Sequence, residues 1–165
     1  MKMPVSDSER PPLVAVREAI ITWFDQHGRR WPWRQTRDPY RVMVAEMLLR
    51  RTTARAVSRV YPRFIERFPD PHSLSRGSLS DISALVASLG LQRVRAEHLL
   101  QAGRVLVEQH NGLVPASRAA LESLPGLGRY GAAAVLNFAF GQPVPLVDGN
   151  IVHLLRRVFD LSVTG

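Results

Sequence analysis

Residues 124–135 read LPGLGRYGAAAV, a stretch in which a proline and two closely spaced glycines separate two helical patterns. One pattern covers residues 117–123, and the other covers residues 128–140 and is rich in small side chains. Because glycine adopts positive φ angles easily, Gly126 and Gly128 predict a tight hairpin between two short helices. The amides of the bend and of the second helix would then point outward, where the helix dipole favours anions. We therefore predict a phosphate-binding hairpin; the alternative is a plain corner between two helices that stops at a glycine.

The rest of the chain shows helical spacing and almost no strand alternation. Apolar residues recur every three or four positions in residues 13–26, and Gly28 follows as a stop. Asp38 and Pro39 form a helix-start signal, and residues 39–53 (PYRVMVAEMLLRRTT) are apolar on nearly all sides, which predicts burial. Further helices are predicted at residues 54–68, 79–89, 93–110, 117–123 and 128–140, with a last one from near Asp148. We therefore predict an all-α fold.

The charge of the chain is strongly basic. Over 165 residues, 22 Lys and Arg against 14 Asp and Glu give a net charge of +8. Such a balance favours an anionic partner, nucleic acid first and acidic lipid second. Lys2 is the only lysine, so nearly all of the positive charge is arginine, a bias that a GC-rich genome would also produce. A helix bundle that binds acidic lipid would explain the charge but not the hairpin.

The composition also limits which cofactors and which cellular location we expect. The chain contains no cysteine, which excludes disulfides, thiolate zinc sites and cysteine-bound iron–sulfur clusters within these residues, so we expect no metal and no cofactor. Residues 1–12 are polar and rich in proline, which predicts a flexible tail rather than a signal peptide. No stretch approaches the roughly 18 apolar residues of a membrane helix. We expect a monomer in the bacterial cytoplasm, associated with the nucleoid and not with a membrane.

Three motifs follow one another along the chain. WPWRQTRDPYRVMVAEMLLRRTTA (31–54) comes first, then LPGLGRYGAAAVLNFAFG (124–141), then VPLVDGNIVHLLRRVF (144–159). The last two resemble the hairpin and the downstream aspartate of the helix-hairpin-helix (HhH-GPD, endonuclease III-like) DNA glycosylase superfamily. The first resembles the branch of that superfamily that contains adenine and thymine mismatch glycosylases.

The resemblance implies a glycosylase fold with a six-helix, barrel-like domain and an incomplete second helical domain. Residues 1–12 would be the tail, 13–28 the N-terminal helix of the second domain, and 29–145 the six-helix domain, with the helix-hairpin-helix at 117–140. Residues 146–165 would begin the C-terminal helical part, which other members of the superfamily continue. The chain is then a fragment or a reduced version, and a fragment could bind DNA weakly and be inactive.

Two carboxylates are the catalytic candidates that the resemblance implies. Asp148 matches the superfamily's aspartate, which would stabilise an oxocarbenium-like sugar and orient or activate water; an aspartate before a helix is otherwise usually an N-cap. Glu46 lies inside an apolar helix, where burial would raise its pKa toward that of a useful acid. The matching glutamate protonates the departing purine in adenine enzymes and would contact the flipped base in the pyrimidine branch. The alternative for Glu46 is an i,i+4 ion pair with Arg50.

Tyr130 stands where glycosylases with strand-nicking activity carry the lysine that forms a Schiff base. The resemblance therefore implies a monofunctional enzyme that leaves an intact abasic site, with Tyr130 as a third catalytic candidate at the mouth of the pocket. The DNA-binding residues that it implies belong to the hairpin and to the turn after Glu46: Pro125, Gly126, Leu127, Gly128, Arg129, Tyr130, Arg50, Arg51 and Thr52.

The residues after Glu46 indicate the branch. Adenine enzymes typically carry two glutamines there, whereas this chain has Arg50-Arg51-Thr52, as in thymine mismatch enzymes. Arg51 occupies the wedge position, where it can fill the stack and hydrogen-bond the orphan guanine. We therefore expect double-stranded DNA with thymine or uracil opposite guanine as the substrate. Adenine removal opposite 8-oxoguanine is one alternative, and a non-catalytic helix-hairpin-helix DNA-binding module is another.

Overall fold

The computed structural model describes residues 12–159, and the regular secondary structure in that range is entirely helical. The α-helices are α1 (Leu13–His27), α2 (Pro39–Leu49), α3 (Ala54–Arg67), α4 (Pro71–Ser75), α5 (Leu79–Val86), α6 (Gln92–His110), α7 (Arg118–Ser123), α8 (Gly128–Phe138) and α9 (Gly149–Phe159). Two 3₁₀ turns lie at Pro32–Arg34 and Ala87–Leu89. The predicted all-α fold is confirmed. Within residues 12–159, every helix is too short or too polar to cross a membrane.

The chain divides into two compact units. One unit is Arg30–Leu146, which contains α2 to α8. The other is described over residues 12–29 and 147–159 and contains α1 and α9. The assignment of residues 13–28 and 146–165 to a second helical domain stays a prediction, and most of the expected tail lies outside the described residues.

The 30–146 unit is built around α2. This helix packs against α3, α6 and α8, and seven of its eleven residues are buried, as its apolar sequence predicts: Tyr40, Val42, Met43, Val44, Ala45, Met47 and Leu48. Its start is also as predicted, because Pro39 lies in the first turn and the carboxylate of Asp38 accepts from the backbone N–H of Arg41 at 2.9 Å.

An aromatic cluster holds the start of α2 against α3. Trp33, in the first 3₁₀ turn, is buried and stacks on Trp31 with ring centroids 5.5 Å apart. The edge of Tyr61 meets Trp33 at the same centroid distance. The hydroxyl of Tyr61 donates to the backbone carbonyl of Arg41 at 3.1 Å, so the cluster also closes a polar contact between the two helices.

Helix limits differ from the sequence prediction in two places. α2 ends at Leu49 instead of continuing to residue 53, because Arg50 is extended, with a φ of −60° and a ψ of 124°. Arg51 follows with a φ of 51°, a left-handed conformation that a right-handed helix does not contain. Between α3 and α5 lies α4, whose five residues are too few for periodicity to reveal. It begins with a capping box, in which Asp70 and Ser73 each accept from the backbone N–H of the other.

Candidate functional site

Residues 118–138 form the predicted helix-hairpin-helix. The bend at 124–127 joins α7 to α8, and both of its leucines are buried. Gly126 has a φ of 81° and Gly128 a φ of 69°. A Cβ added to Gly126 would lie 2.6 Å from the Cβ of His98, so this position requires glycine both for its conformation and for lack of space.

The first turn of α8 is open to solvent. Gly128, Arg129 and Tyr130 are exposed, and the N-cap residue Leu127 offers no side-chain acceptor. α2, by contrast, begins with a capping aspartate. A helix N-terminus without a side-chain cap has free backbone N–H groups, and here an arginine lies beside them in the first turn. Such a helix start is suited to bind an anion such as a phosphate.

Glu46 lies in the contact between α2 and α8. A Cβ added to Gly131, in α8, would lie 3.8 Å from the Cβ of Glu46, so the two helices approach closely where the glycine has no side chain. Burial raises the pKa of Glu46 to about 7, and the guanidinium of Arg34 opposes this rise. The predicted rise in pKa is confirmed. Such a carboxyl gains and loses its proton near neutral pH, as proton transfer to a base requires.

Arg50 contacts the hairpin and not Glu46. Its Nη1 atom donates to the backbone carbonyl of Gly126 at 2.6 Å. The ion pairs found among residues 12–159 include none between Arg50 and Glu46, so that alternative for Glu46 is wrong. The hydrogen bond from Arg50 ties the turn after α2 to the hairpin.

Arg50 and Arg51 line a cavity of about 170 Å³ between α2, α6 and the hairpin. Arg51 is exposed, and Thr52, the next residue, is half-buried. The cavity combines an apolar floor with positive charge; its lining residues are Met47, Arg50, Arg51, Leu91, Val94, Arg95, His98 and Gly126.

Leu91, Arg95 and His98 are among the lining residues that the sequence analysis does not single out. Leu91 carries a sequence signal that could have found it, because it is a leucine directly after a glycine and before a helical pattern. The structure shows that Leu91 is exposed and has a φ of 51°. Arg95 and His98 carry none, because on sequence they are polar positions of an amphipathic helix. Only the packing of α6 under the hairpin shows that Arg95 is buried and that His98 lies beneath Gly126.

Asp148 belongs to the other unit and caps α9. Its Oδ1 accepts from the backbone N–H of Ile151 at 2.8 Å, and its Oδ2 accepts from the side-chain amide of Asn150 at 3.5 Å. The local geometry therefore shows the N-cap, and Oδ2 holds the weaker of the two contacts. The expectation that Asp148 and Glu46 face one pocket stays a prediction.

Residues 12–159 contain no group of three or more His, Asp or Glu side chains arranged to hold a metal ion. The expectation that the chain uses no cofactor stays a prediction.

Comparisons with known proteins agree with one another. Residues 44–163 match the HhH-GPD family, described as HhH-GPD superfamily base excision DNA repair protein. A thymine/uracil-DNA glycosylase of Pyrobaculum aerophilum is 42% identical over 147 residues, which cover 88% of this chain and 64% of that protein. An adenine DNA glycosylase of Mycobacterium tuberculosis is 35% identical over 147 residues, which cover 88% of this chain and 47% of that protein. The solved structure of a thermostable thymine-DNA glycosylase superposes with a TM-score of 0.83 at 36% identity. The superposition covers 87% of this chain and 66% of the other. This chain thus spans less than two thirds of the length of each of the three.

Proposed function

Because the chain belongs to the HhH-GPD superfamily of base excision DNA repair proteins, we propose that it is a monofunctional DNA glycosylase that removes thymine or uracil opposite guanine. The observation that carries the proposal is the contact region in the 30–146 unit. There Arg50 bonds the glycine hairpin, Arg50 and Arg51 line the cavity beside it, and Glu46 packs against α8, the second helix of the hairpin. These parts suit three tasks: holding a backbone phosphate, occupying the place of an extruded base, and hydrogen-bonding that base.

Binding to DNA would begin with the hairpin and the positive charge. The amides at the start of α8, together with Arg129, hold phosphates beside the damaged base, a contact that carries no sequence information. Extrusion of the base costs about a few kcal/mol and costs less for a mispair, which favours a mismatch over a normal pair. Arg51 then fills the vacated position, where its guanidinium can donate to O6 and N7 of the orphan guanine.

Asp148 would carry the central chemical role. As the bond between the sugar and the base breaks, the electron pair leaves with the base, and positive charge develops on the sugar. The carboxylate stabilises that charge and accepts a proton from the water whose oxygen bonds to C1′. Since Oδ1 already accepts from the amide of Ile151, Oδ2 is the oxygen suited to this task. Glu46, protonated in part near pH 7, donates a hydrogen bond to the departing base.

The product would be an intact abasic site. Tyr130 stands where a Schiff-base lysine would be needed for strand cleavage, and its phenol cannot form an imine with the sugar. The only lysine of the chain, Lys2, lies far from the hairpin in sequence.

Two alternatives each have an observation in their favour. Adenine removal is favoured by the raised pKa of Glu46, because a carboxyl that is protonated near pH 7 can donate the proton that a departing purine needs. The similarity to adenine glycosylases also favours it. A non-catalytic DNA-binding module is favoured by the engagement of the Asp148 carboxylate in the N-cap of α9, a structural role that needs no chemistry. The Arg50-Arg51-Thr52 turn and the higher identity to the thymine/uracil enzyme favour the pyrimidine substrate over adenine.

The test uses end-labelled duplexes that contain a single G·T, G·U or A·8-oxoguanine pair, incubated with excess protein. Each sample is divided, and one half is treated with hot alkali. Strand cleavage only after alkali, in the G·T and G·U duplexes, is the expected result. Cleavage without alkali would contradict the role given to Tyr130, and cleavage of the 8-oxoguanine duplex alone would establish the adenine alternative. Binding without base release in any duplex would establish the module.

Asp148→Asn tests the chemical step separately. Asparagine keeps an acceptor oxygen for the N-cap of α9 but carries no negative charge, so base release should fall at least 100-fold while binding to the mispaired duplex survives. Asp70→Asn makes the same change at the N-cap of α4 and is the matched control. Equal rates in the two variants would remove Asp148 from the mechanism.

A further inference from the structure

The end of α2 is closed by a side chain from another helix. The last carbonyl groups of an α-helix have no partner within the helix. Here the guanidinium of Arg95, in α6, supplies partners: its Nη1 donates to the carbonyl oxygens of Met47 and Leu48, at 2.8 and 3.0 Å. Its Nη2 donates to the carbonyl oxygen of Arg50 at 2.9 Å. One planar group thus bonds both the final turn of α2 and the residue after it.

The arrangement is costly, because Arg95 is buried. Only 6% of its surface is exposed, its Nε has no hydrogen-bond partner, and the bonds found for its guanidinium run to neutral carbonyl oxygens. Burial lowers the pKa of Arg95, and the nearby charge of Arg50 lowers it further. Stability alone would favour an apolar side chain at a buried position of α6. The position therefore requires an explanation in terms of what the guanidinium holds in place.

What it holds in place is a strained turn with an outward-facing arginine. Arg51 has a φ of 51°, a conformation that glycine usually supplies after a helix and that costs a larger residue about 1 kcal/mol. The backbone carbonyl of Arg50 accepts from Arg95, and the side chain of Arg50 donates to the carbonyl of Gly126 in the hairpin. Because Arg50 is held through both its carbonyl and its side chain, the Arg51 side chain extends from a fixed stretch of backbone into solvent beside the cavity.

We propose that Arg95 is a positioning residue that fixes the backbone of residues 50–52 and thereby aims Arg51 at the orphan base. The proposal rests on the proposed function for its biological meaning, but its physical content is a coupling between two side chains that do not bond each other. Lysine at position 95 keeps the charge, yet its single nitrogen cannot bond the separated carbonyls of Leu48 and Arg50 in the geometry of a planar fork.

A double-mutant cycle tests the coupling. The parent, Arg51→Ala, Arg95→Lys and the double variant are compared by the ratio of their dissociation constants for G·C and G·T duplexes, and by single-turnover base release. Arg51→Ala and Arg95→Lys should each lower the selectivity ratio about tenfold, and the double variant should lower it no further than Arg51→Ala alone. Arg104→Lys, an exposed position of the same helix, is the matched control and should leave the ratio unchanged.

The outcomes separate this proposal from the function on which it rests. If the double variant lowers the selectivity ratio by the product of the two single effects, the two residues act independently. That result would overturn the positioning role even where the parent releases base. Coupled effects on binding selectivity without base release would retain the positioning role and refute the glycosylase. If the parent shows neither property, amide hydrogen exchange decides: exchange at Arg51 and Thr52 should be at least tenfold faster in Arg95→Lys, and unchanged exchange overturns the proposal.

Discussion

Replacing Glu46 with glutamine should change how the stability of the protein depends on pH. Burial raises the pKa of this carboxyl from 4.5 to about 7. The unfolded chain therefore loses the proton at lower pH than the folded chain, and the folded state loses stability as the pH rises between these values. Each pKa unit corresponds to about 1.4 kcal/mol, so up to about 3 kcal/mol is lost by pH 8. Glutamine has the same shape and no charge to desolvate, and the variant avoids this loss.

Urea unfolding of both proteins at pH 4 and pH 8 measures the effect. The difference in unfolding free energy between Glu46→Gln and the parent should be more favourable to the variant at pH 8 by about 2–3 kcal/mol. Glu108→Gln, at an exposed position of α6, should show the same difference at both pH values. If Glu46→Gln behaves like Glu108→Gln, then Glu46 is not held protonated by burial, and the argument for its donating a hydrogen bond near pH 7 fails.

Three further substitutions test the hairpin and the start of α2. Gly126→Ala should cost at least 2 kcal/mol more in urea unfolding than Gly141→Ala, because both positions have positive φ but only at Gly126 would the new Cβ collide with His98; equal costs would contradict the close approach. Arg129→Gln should reduce the slope of log K against log salt by about 1 in DNA titrations between 50 and 200 mM salt, and an unchanged slope would place Arg129 off the phosphates. Asp38→Ala should lower the unfolding free energy by about 1 kcal/mol through the lost N-cap, whereas Asp38→Asn should lower it by less than half of that.

The parts of the fold that sequence predicts are those fixed by local chemistry. The glycine hairpin, the capped start of α2 and the burial of α2 all depend on residues close together in the chain, so spacing and residue type suffice. The direction of the pKa shift of Glu46 is also predictable, because an apolar helix is buried and burial raises the pKa of a carboxyl. These predictions are confirmed because each needs only neighbours within a few turns.

The parts that sequence misses depend on contacts between distant segments. The pattern of residues 39–53 continues past Leu49, and nothing local ends the helix there. Instead Arg50 is extended, its carbonyl accepts from Arg95 in α6, and Arg51 takes a left-handed conformation that its residue type does not favour. The alternative of an ion pair between Glu46 and Arg50 is wrong for the same reason, because the hairpin, remote in sequence, offers Arg50 a carbonyl.

The hydrogen bond between Arg50 and the carbonyl of Gly126 restricts the routes by which this protein can evolve. Under the proposed function, the same arginine belongs to the turn that distinguishes pyrimidine from purine substrates and to the contact that anchors the hairpin. A substitution of Arg50 that changed the preferred base would also remove the hydrogen bond to the hairpin, so its benefit would depend on a second, compensating mutation. A change of substrate would then require coordinated changes in two segments that are 76 residues apart in the sequence.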